Sequence, residues 1–231
     1  MDIAMIRPVL MAVSGICWSV TYVSLIRNGF RDRTCGMPLF ALGLNICWEV
    51  LYAFYGFTAE PSGIQTWINM IWACLDIAII VTWMRYGRAL LPAPARRHFI
   101  AFTMLTLITC AMAQLAFYLR FDNAVEASQY SAFAQNAVMS VLFLTHLWNR
   151  GDGRGQTMTM AVAKCLGTLA PTILGGLIES LNVYILLMGA ICLIFDLLYI
   201  GQLYALRHKT TDDLIQKEHD DQHPVRQRAS E

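Results

Sequence analysis

Seven apolar runs, none separated from the next by more than 13 residues, set the terms on which this 231-residue chain can fold. They cover residues 8–26, 38–57, 64–84, 98–119, 127–148, 158–179 and 182–205. A helix needs about 20 predominantly apolar residues to cross the hydrocarbon core of a bilayer. The pattern therefore predicts an all-α membrane protein. Residues 1–205 form a bundle of seven transmembrane helices, and residues 206–231 form a polar tail. No loop can hold a soluble catalytic domain, so any chemistry must sit inside the bundle or at its rims. The first run follows no basic start with a small-residue cleavage site, so it reads as the first helix rather than a signal peptide.

Composition agrees. Apolar residues make up 57% of the chain and charged residues 14%, against about 45–50% and 25% in soluble domains. That excludes a disordered, fibrous or disulfide-framed class and argues against a water-soluble enzyme. The formal net charge of +1 offers no basic field for nucleic acid. Six of the seven cysteines lie inside apolar runs. They form no CxxC pair and no zinc-site spacing, so they read as packing residues.

Lysine and arginine placement predicts the orientation. Fourteen of the 17 cations fall on one side: in the 27–37, 85–97 and 149–157 loops and in the tail. The other side holds Arg7 and Arg120, and Lys164 lies within the sixth run. The N-terminus is placed outside or in a lumen, and the C-terminus in the cytoplasm. The tail after Leu206 is mixed in charge and lacks an apolar period, which predicts disorder. Its Asp212/Asp213 and Asp220/Asp221 pairs read as solvated rather than metal-binding.

A weak internal repeat is visible. "SLIRNG" ends the first run and "HLWNRG" the fifth, with Gly29 and Gly151 separated by 122 residues. Asp76 and Asp196 are separated by 120. A 3+1+3 arrangement of parallel repeats would account for both offsets, as in some transporters.

The polar residues inside the runs carry the functional signal. An ionised carboxylate at the bilayer centre costs about 2.5–3.5 kcal/mol on insertion scales, so it faces the bundle interior. Glu49, Asp76 and Asp196 qualify. Asn45, Glu49 and Tyr52 fall at i, i+4 and i+7 on one helix face, flanked by Trp48 and Tyr55. A carboxyl group among aromatics favours its neutral form. It is then either a general acid or a hydrogen-bonded link between helices. Asp196 has Tyr199 one turn on and is open to the same two readings. Asp76 is either catalytic or bonded to Gln135, Asn136 or Gln114, residues that more often join helices than react. Lys164 is expected to snorkel to the nearby rim, and His146 to sit at the interface. Trp67 and Trp148 fit interfacial belts. Trp18, Tyr22, Trp48, Tyr52, Trp72, Phe117, Tyr118 and Tyr130 either pack or line a site whose aromatic faces stabilise a carbocation.

No DDxxD or DxDD lies in a helix, and no HExxH, GxSxG, Walker A or GxGxxG motif occurs. The segment "GMPLFALGLNICWEVLYAF" from Gly36 to Phe54 carries an N-x-x-W-E core, and the last helix has an aspartate with a tyrosine one turn on. On these features, and on chain length and short loops over about 200 residues, the sequence resembles the small integral-membrane terpene cyclases. That family includes the fungal meroterpenoid and indole-diterpene cyclases of the paxilline and pyripyropene types, and bacterial drimentine-type relatives.

The resemblance implies a metal-independent cyclase of isomerase or lyase type in secondary-metabolite biosynthesis. It acts by acid-initiated cation cyclisation of a linear prenyl chain on an aromatic or indole scaffold. Glu49 and Asp196 take the positions of the acids held essential. One donates a proton to a terminal epoxide or alkene, and the other serves the proton network or accepts the final proton. Asp76, Asn45, Trp48, Tyr52, Tyr199, Trp18 and Gln135 are supporting candidates. No metal, nucleotide or other cofactor is implied. The partners are a prenylated substrate entering from the bilayer and the lipid itself, in a fungal endoplasmic reticulum or a bacterial plasma membrane. Without the resemblance, a proton-coupled small-solute transporter explains the buried acids equally well. It predicts helices broken at mid-membrane, and Pro171 with Gly175-Gly176 is the one hint of that. A retinal-type pump would need a lysine in the last helix, where Asp196 stands instead.

Overall fold

The computed structural model describes residues 3–222, with side-chain surroundings for 5–208. Among the described residues there is no strand, and seven α-helices carry the fold: α1 (Ile3–Arg31), α2 (Leu39–Ala59), α3 (Ile64–Tyr86), α4 (Phe99–Arg120), α5 (Ala124–Arg150), α6 (Met158–Ile173) and α7 (Val183–Gln222). Short 3₁₀ pieces, Gly87–Leu90 and Ala93–His98, join α3 to α4.

Local chemistry sets the boundaries. Pro38, which cannot continue a helix backwards, precedes α2. Asn123 Oδ1 accepts from Val125 N at 2.8 Å and opens α5, and Thr157 Oγ1 accepts from Met160 N at 3.3 Å and opens α6. Each satisfies a backbone donor left over by the first helical turn. Gly151 closes α5 in the left-handed region, at φ +65°.

Among the described residues six stretches are long and apolar enough to cross a membrane, and α5 is not one of them. The seventh expected span is therefore seen as a helix but not as an apolar one. Its polar side chains explain this, because Ser131, Gln135 and Ser140 are buried against other helices rather than turned to lipid. α7 continues to Gln222. The expected tail begins on this helix, and residues 223–231, on which the rest of that expectation falls, lie outside the described ones.

α1, α3, α2, α5, α7 and α6 form a closed ring of neighbours, and α4 covers the seam between α2 and α5. The neighbour relations come in matched sets. The pairs α1–α3, α2–α3 and α1–α6 have counterparts in α5–α7, α6–α7 and α5–α2. The α1–α2 and α5–α6 connections, themselves counterparts, meet each other. Gly155 N donates to Asp32 Oδ2 at 2.8 Å, Arg154 Nη2 to Asp32 O at 2.7 Å, and Gln156 Nε2 to Gly36 O at 2.9 Å. A Cβ on Gly36 would lie 2.2 Å from Gly155 O, so only glycine permits this crossing. Where the helices meet, small residues allow close approach: a Cβ on Gly43 of α2 would lie 2.9 Å from Cys110 Sγ on α4.

Pro171 lies inside α6 without breaking it. The helix passes into a π turn over Leu174–Ile178, where Glu179 N donates to Leu174 O at 2.9 Å. The irregularity falls at the end of α6 rather than at its middle.

Candidate functional site

Two carboxyl groups meet around one amide. Asn45 and Glu49 are one turn apart on α2, and Asp76 comes from α3. Asn45 Nδ2 donates to Glu49 Oε1 at 3.0 Å and to Asp76 Oδ2 at 2.9 Å. It also reaches the Tyr22 hydroxyl of α1, which in turn donates to Glu49 Oε1. Glu49 and Asp76 thus share one donor, the Asn45 amide. Behind Asn45, Gln135 Nε2 of α5 donates to its Oδ1 at 3.3 Å, and Gln114 Nε2 of α4 donates to Gln135 Oε1 at 2.7 Å and Leu44 O at 3.3 Å. Five helices thus converge on a chain of amides that ends at two acids.

All these polar groups are buried. In a bundle crossing lipid, an unsatisfied polar group costs several kcal/mol, which is why the amide nitrogens of Asn45, Gln114 and Gln135 all donate to buried acceptors. Three oxygens of this chain break that pattern: Gln114 Oε1 at its far end, and Glu49 Oε2 and Asp76 Oδ1 at the acids, have no partner among the described residues. The amide chain fixes one face of each acid and leaves the other face available.

The second centre lies between α5, α6 and α7. Lys164 Nζ donates to Asp196 Oδ1 at 2.6 Å and to Ser140 Oγ at 2.7 Å. Its ammonium also lies 5.8 Å from the Phe143 ring centroid. Lys164 is wholly buried, so the expected snorkelling is wrong. The buried carboxylate outweighs the pull of the rim, since an ion pair in low dielectric loses far more by separating than by staying buried. Asp196 Oδ2 and the Tyr199 hydroxyl are buried without a partner among the described residues, and the Tyr199 ring packs against Phe143 at 5.9 Å.

Aromatics surround the first centre. Tyr22 stands between Trp18 and Trp72, with ring centroids 6.1 and 6.0 Å away. Trp48 packs on Tyr52 at 5.1 Å and donates to Ser128 O at 3.0 Å. Tyr52 pairs with Ser131 Oγ at 3.5 Å, not with Glu49. Among the described residues neither Tyr52 nor Tyr199 hydrogen-bonds a carboxyl, whereas Asn45 and Tyr22 do. Asp76 bonds Asn45 rather than Gln135, Asn136 or Gln114. Sequence reasoning placed Tyr22 only among possible lining aromatics. Its position about two and a half turns before the end of α1 gave no sign that it reaches α2. Trp67 and Trp148 are exposed, as interfacial residues would be.

The fold and the site define a multi-pass integral membrane protein whose inward chemistry consists of carboxyls, amides, phenols and one ammonium. The chain belongs to the Pyr4-like transmembrane terpene cyclases, whose family model matches residues 1–209. It is 29% identical over 162 residues to the Pyr4-family terpene cyclase mfmH of Annulohypoxylon moriforme, covering 69% of this chain and 66% of that protein. It is 27% identical over 164 residues to the terpene cyclase macJ of Penicillium terrestre, covering 69% and 62%. The terpene cyclase dpmpB of Macrophomina phaseolina is 23% identical over 171 residues, covering 73% and 69%. The match spans about two thirds of the length of these curated relatives.

Proposed function

We propose that this protein cyclises a linear prenyl chain carried on an aromatic or indole scaffold, and that Glu49 supplies the starting proton. One observation carries this: Glu49 Oε1 is held by Tyr22 and Asn45 beside Asp76, while Glu49 Oε2 has no protein partner. Two buried carboxyls that share one amide donor and have only neutral donors cannot both ionise at low dielectric, so one of them keeps a proton.

The reaction follows from that proton. Glu49 protonates a terminal epoxide oxygen, and the C–O bond breaks to leave a tertiary cation. With a terminal alkene, the proton instead adds to carbon. Internal alkenes attack in turn, each π pair forming a new C–C bond. The last cation loses a proton, and the C–H pair becomes an alkene. Protons balance, so the product is an isomer of the substrate, and neither metal nor nucleotide enters the scheme. Trp18, Trp48 and Trp72 supply aromatic faces near the acids that favour a passing cation, and a dry site keeps water from quenching it.

The same reading takes α5 as the seventh crossing, with the N-terminus outside or lumenal and the C-terminus cytoplasmic. It takes the matched helix contacts as a 3+1+3 repeat. The substrate enters from the bilayer of a fungal endoplasmic reticulum or a bacterial plasma membrane. The unbroken middle of α6 favours this over a solute transporter, which needs a helix interrupted there.

Farnesylated and geranylgeranylated indoles and phenols, with and without a terminal epoxide, test it when supplied to membranes carrying the chain. An isomeric cyclic product by mass spectrometry is the expected result. Uptake of a small solute that depends on Glu49, with no isomer formed from any of them, would overturn it.

A further inference from the structure

The Lys164–Asp196 pair takes no part in starting the reaction, yet its place in the fold repeats that of Asn45 and Asp76. Asp196 follows Asp76 by 120 residues, and Lys164 follows Asn45 by 119. Asn45 on α2 donates to Asp76 on α3, as Lys164 on α6 donates to Asp196 on α7. Ser140 and Phe143 on α5, which face Lys164, follow Ser19 and Tyr22 on α1 by 121. Tyr22 touches Asn45 directly, and Ser19 Oγ accepts from Trp72 one turn before Asp76. The helix contacts match in the same way, α1–α3 with α5–α7 and α2–α3 with α6–α7.

The protein thus holds two corresponding carboxyl stations with different partners. An amide and a phenol serve one, and an ammonium and a hydroxyl serve the other. An amide tolerates a neutral acid. A buried ammonium requires a carboxylate opposite it, since leaving it unpaired costs several kcal/mol. We infer that the two stations divide the proton work. Lys164 is a positioning residue that keeps Asp196 ionised and pins Oδ1, so that Oδ2 takes the last proton of the cascade. In that step the C–H pair becomes the new alkene and Asp196 becomes neutral, while Lys164 keeps its proton. The direction of proton flow rests on the acid-initiated reading; the charge of Asp196 does not.

Infrared difference spectra of the purified full chain in lipid nanodiscs test the inference without needing a substrate. Asp196→Asn is expected to remove a carboxylate band. Lys164→Met is expected to convert that band into a protonated-carboxyl band. Loss of a protonated-carboxyl band in Asp196→Asn overturns the proposal, and so does a carboxylate band that survives Lys164→Met. If Lys164→Met fails to insert, the Asp196→Asn spectrum decides alone. Glu49→Gln should remove a protonated-carboxyl band. Loss of a carboxylate band there would sink the donor role of Glu49 and leave the Lys164 inference standing.

A farnesylated indole bearing a terminal epoxide adds a turnover arm. Lys164→Met should convert it about tenfold more slowly, the scale of one charge-assisted hydrogen bond, with a larger share of water-quenched alcohol. Recovery of wild-type conversion in Lys164→Met/Asp196→Asn would make the pair purely structural.

Discussion

The Lys164 ammonium lies 2.6 Å from Asp196 Oδ1, with both side chains shut inside the bundle. Removing one member of such a pair leaves an uncompensated buried charge, at a cost of about 3–5 kcal/mol, whereas removing both is often close to neutral. Asp196→Asn should therefore destabilise the protein more than Lys164→Met/Asp196→Asn does. Thermal unfolding in detergent measures the difference. Equal losses would mean that the two charges do not depend on each other.

In the proposed reaction, the Tyr22 hydroxyl on Glu49 Oε1 is the contact that positions the acid. Tyr22→Phe keeps the ring between Trp18 and Trp72 and removes only the hydroxyl on Glu49 Oε1. A hydrogen bond to a charged or proton-sharing group is worth about 1.5–3 kcal/mol, so conversion should fall at least about tenfold with insertion unchanged. Full activity in Tyr22→Phe would remove the phenol from the acid's setting.

The meeting of the α1–α2 and α5–α6 connections is a backbone-to-backbone fit. Gly36→Ala would drive a Cβ into Gly155 O, whereas Gly15→Ala meets nothing within 4 Å. Overpacking of this kind costs about 1–3 kcal/mol. Gly36→Ala should lower the unfolding temperature and Gly15→Ala should not. Equal stability of the two variants would show that the loops can separate freely.

Asp32 anchors the same junction. The hydrogen bond from Arg31 holds its carboxyl below the usual carboxylate range, against the opposing pull of partial burial, with help from the Gly155 amide. A depressed folded-state value adds stability above the ordinary aspartate pKa of about 3.9. That stability is lost as pH falls through the lowered value. Asp32→Asn should therefore be less stable than wild type at neutral pH, and the gap should close on acidification. A gap that widens in acid would contradict this sign.

Part of this was legible in the sequence. Runs of about 20 apolar residues have one physical meaning, so the helices were readable. α5 was the exception in hydropathy, because Gln135 and Ser140 face inward and lower its apolar character without moving it out of the bundle. Asn45 and Glu49 were legible as neighbours because i, i+4 spacing fixes them on one helix face. Pairs across helices were not. Asp76 lies 31 residues from Asn45, and Lys164 lies 32 from Asp196. Apolar patterning says that helices exist but not at what height they pack, so it could not tell a snorkelling lysine from a buried one. The spacing of 120 between the two aspartates was visible. That their partners also correspond required the helix contacts.

Glu49 as proton donor is the centre of the proposed reaction. The most direct measurement compares conversion of an accepted prenylated substrate by wild type and Glu49→Gln, at equal amounts of membrane-inserted protein. Glutamine keeps the size and one acceptor but cannot give up a proton. The account predicts the isomeric cyclic product from wild type and none from Glu49→Gln. The same product formed at the same rate by both would contradict it.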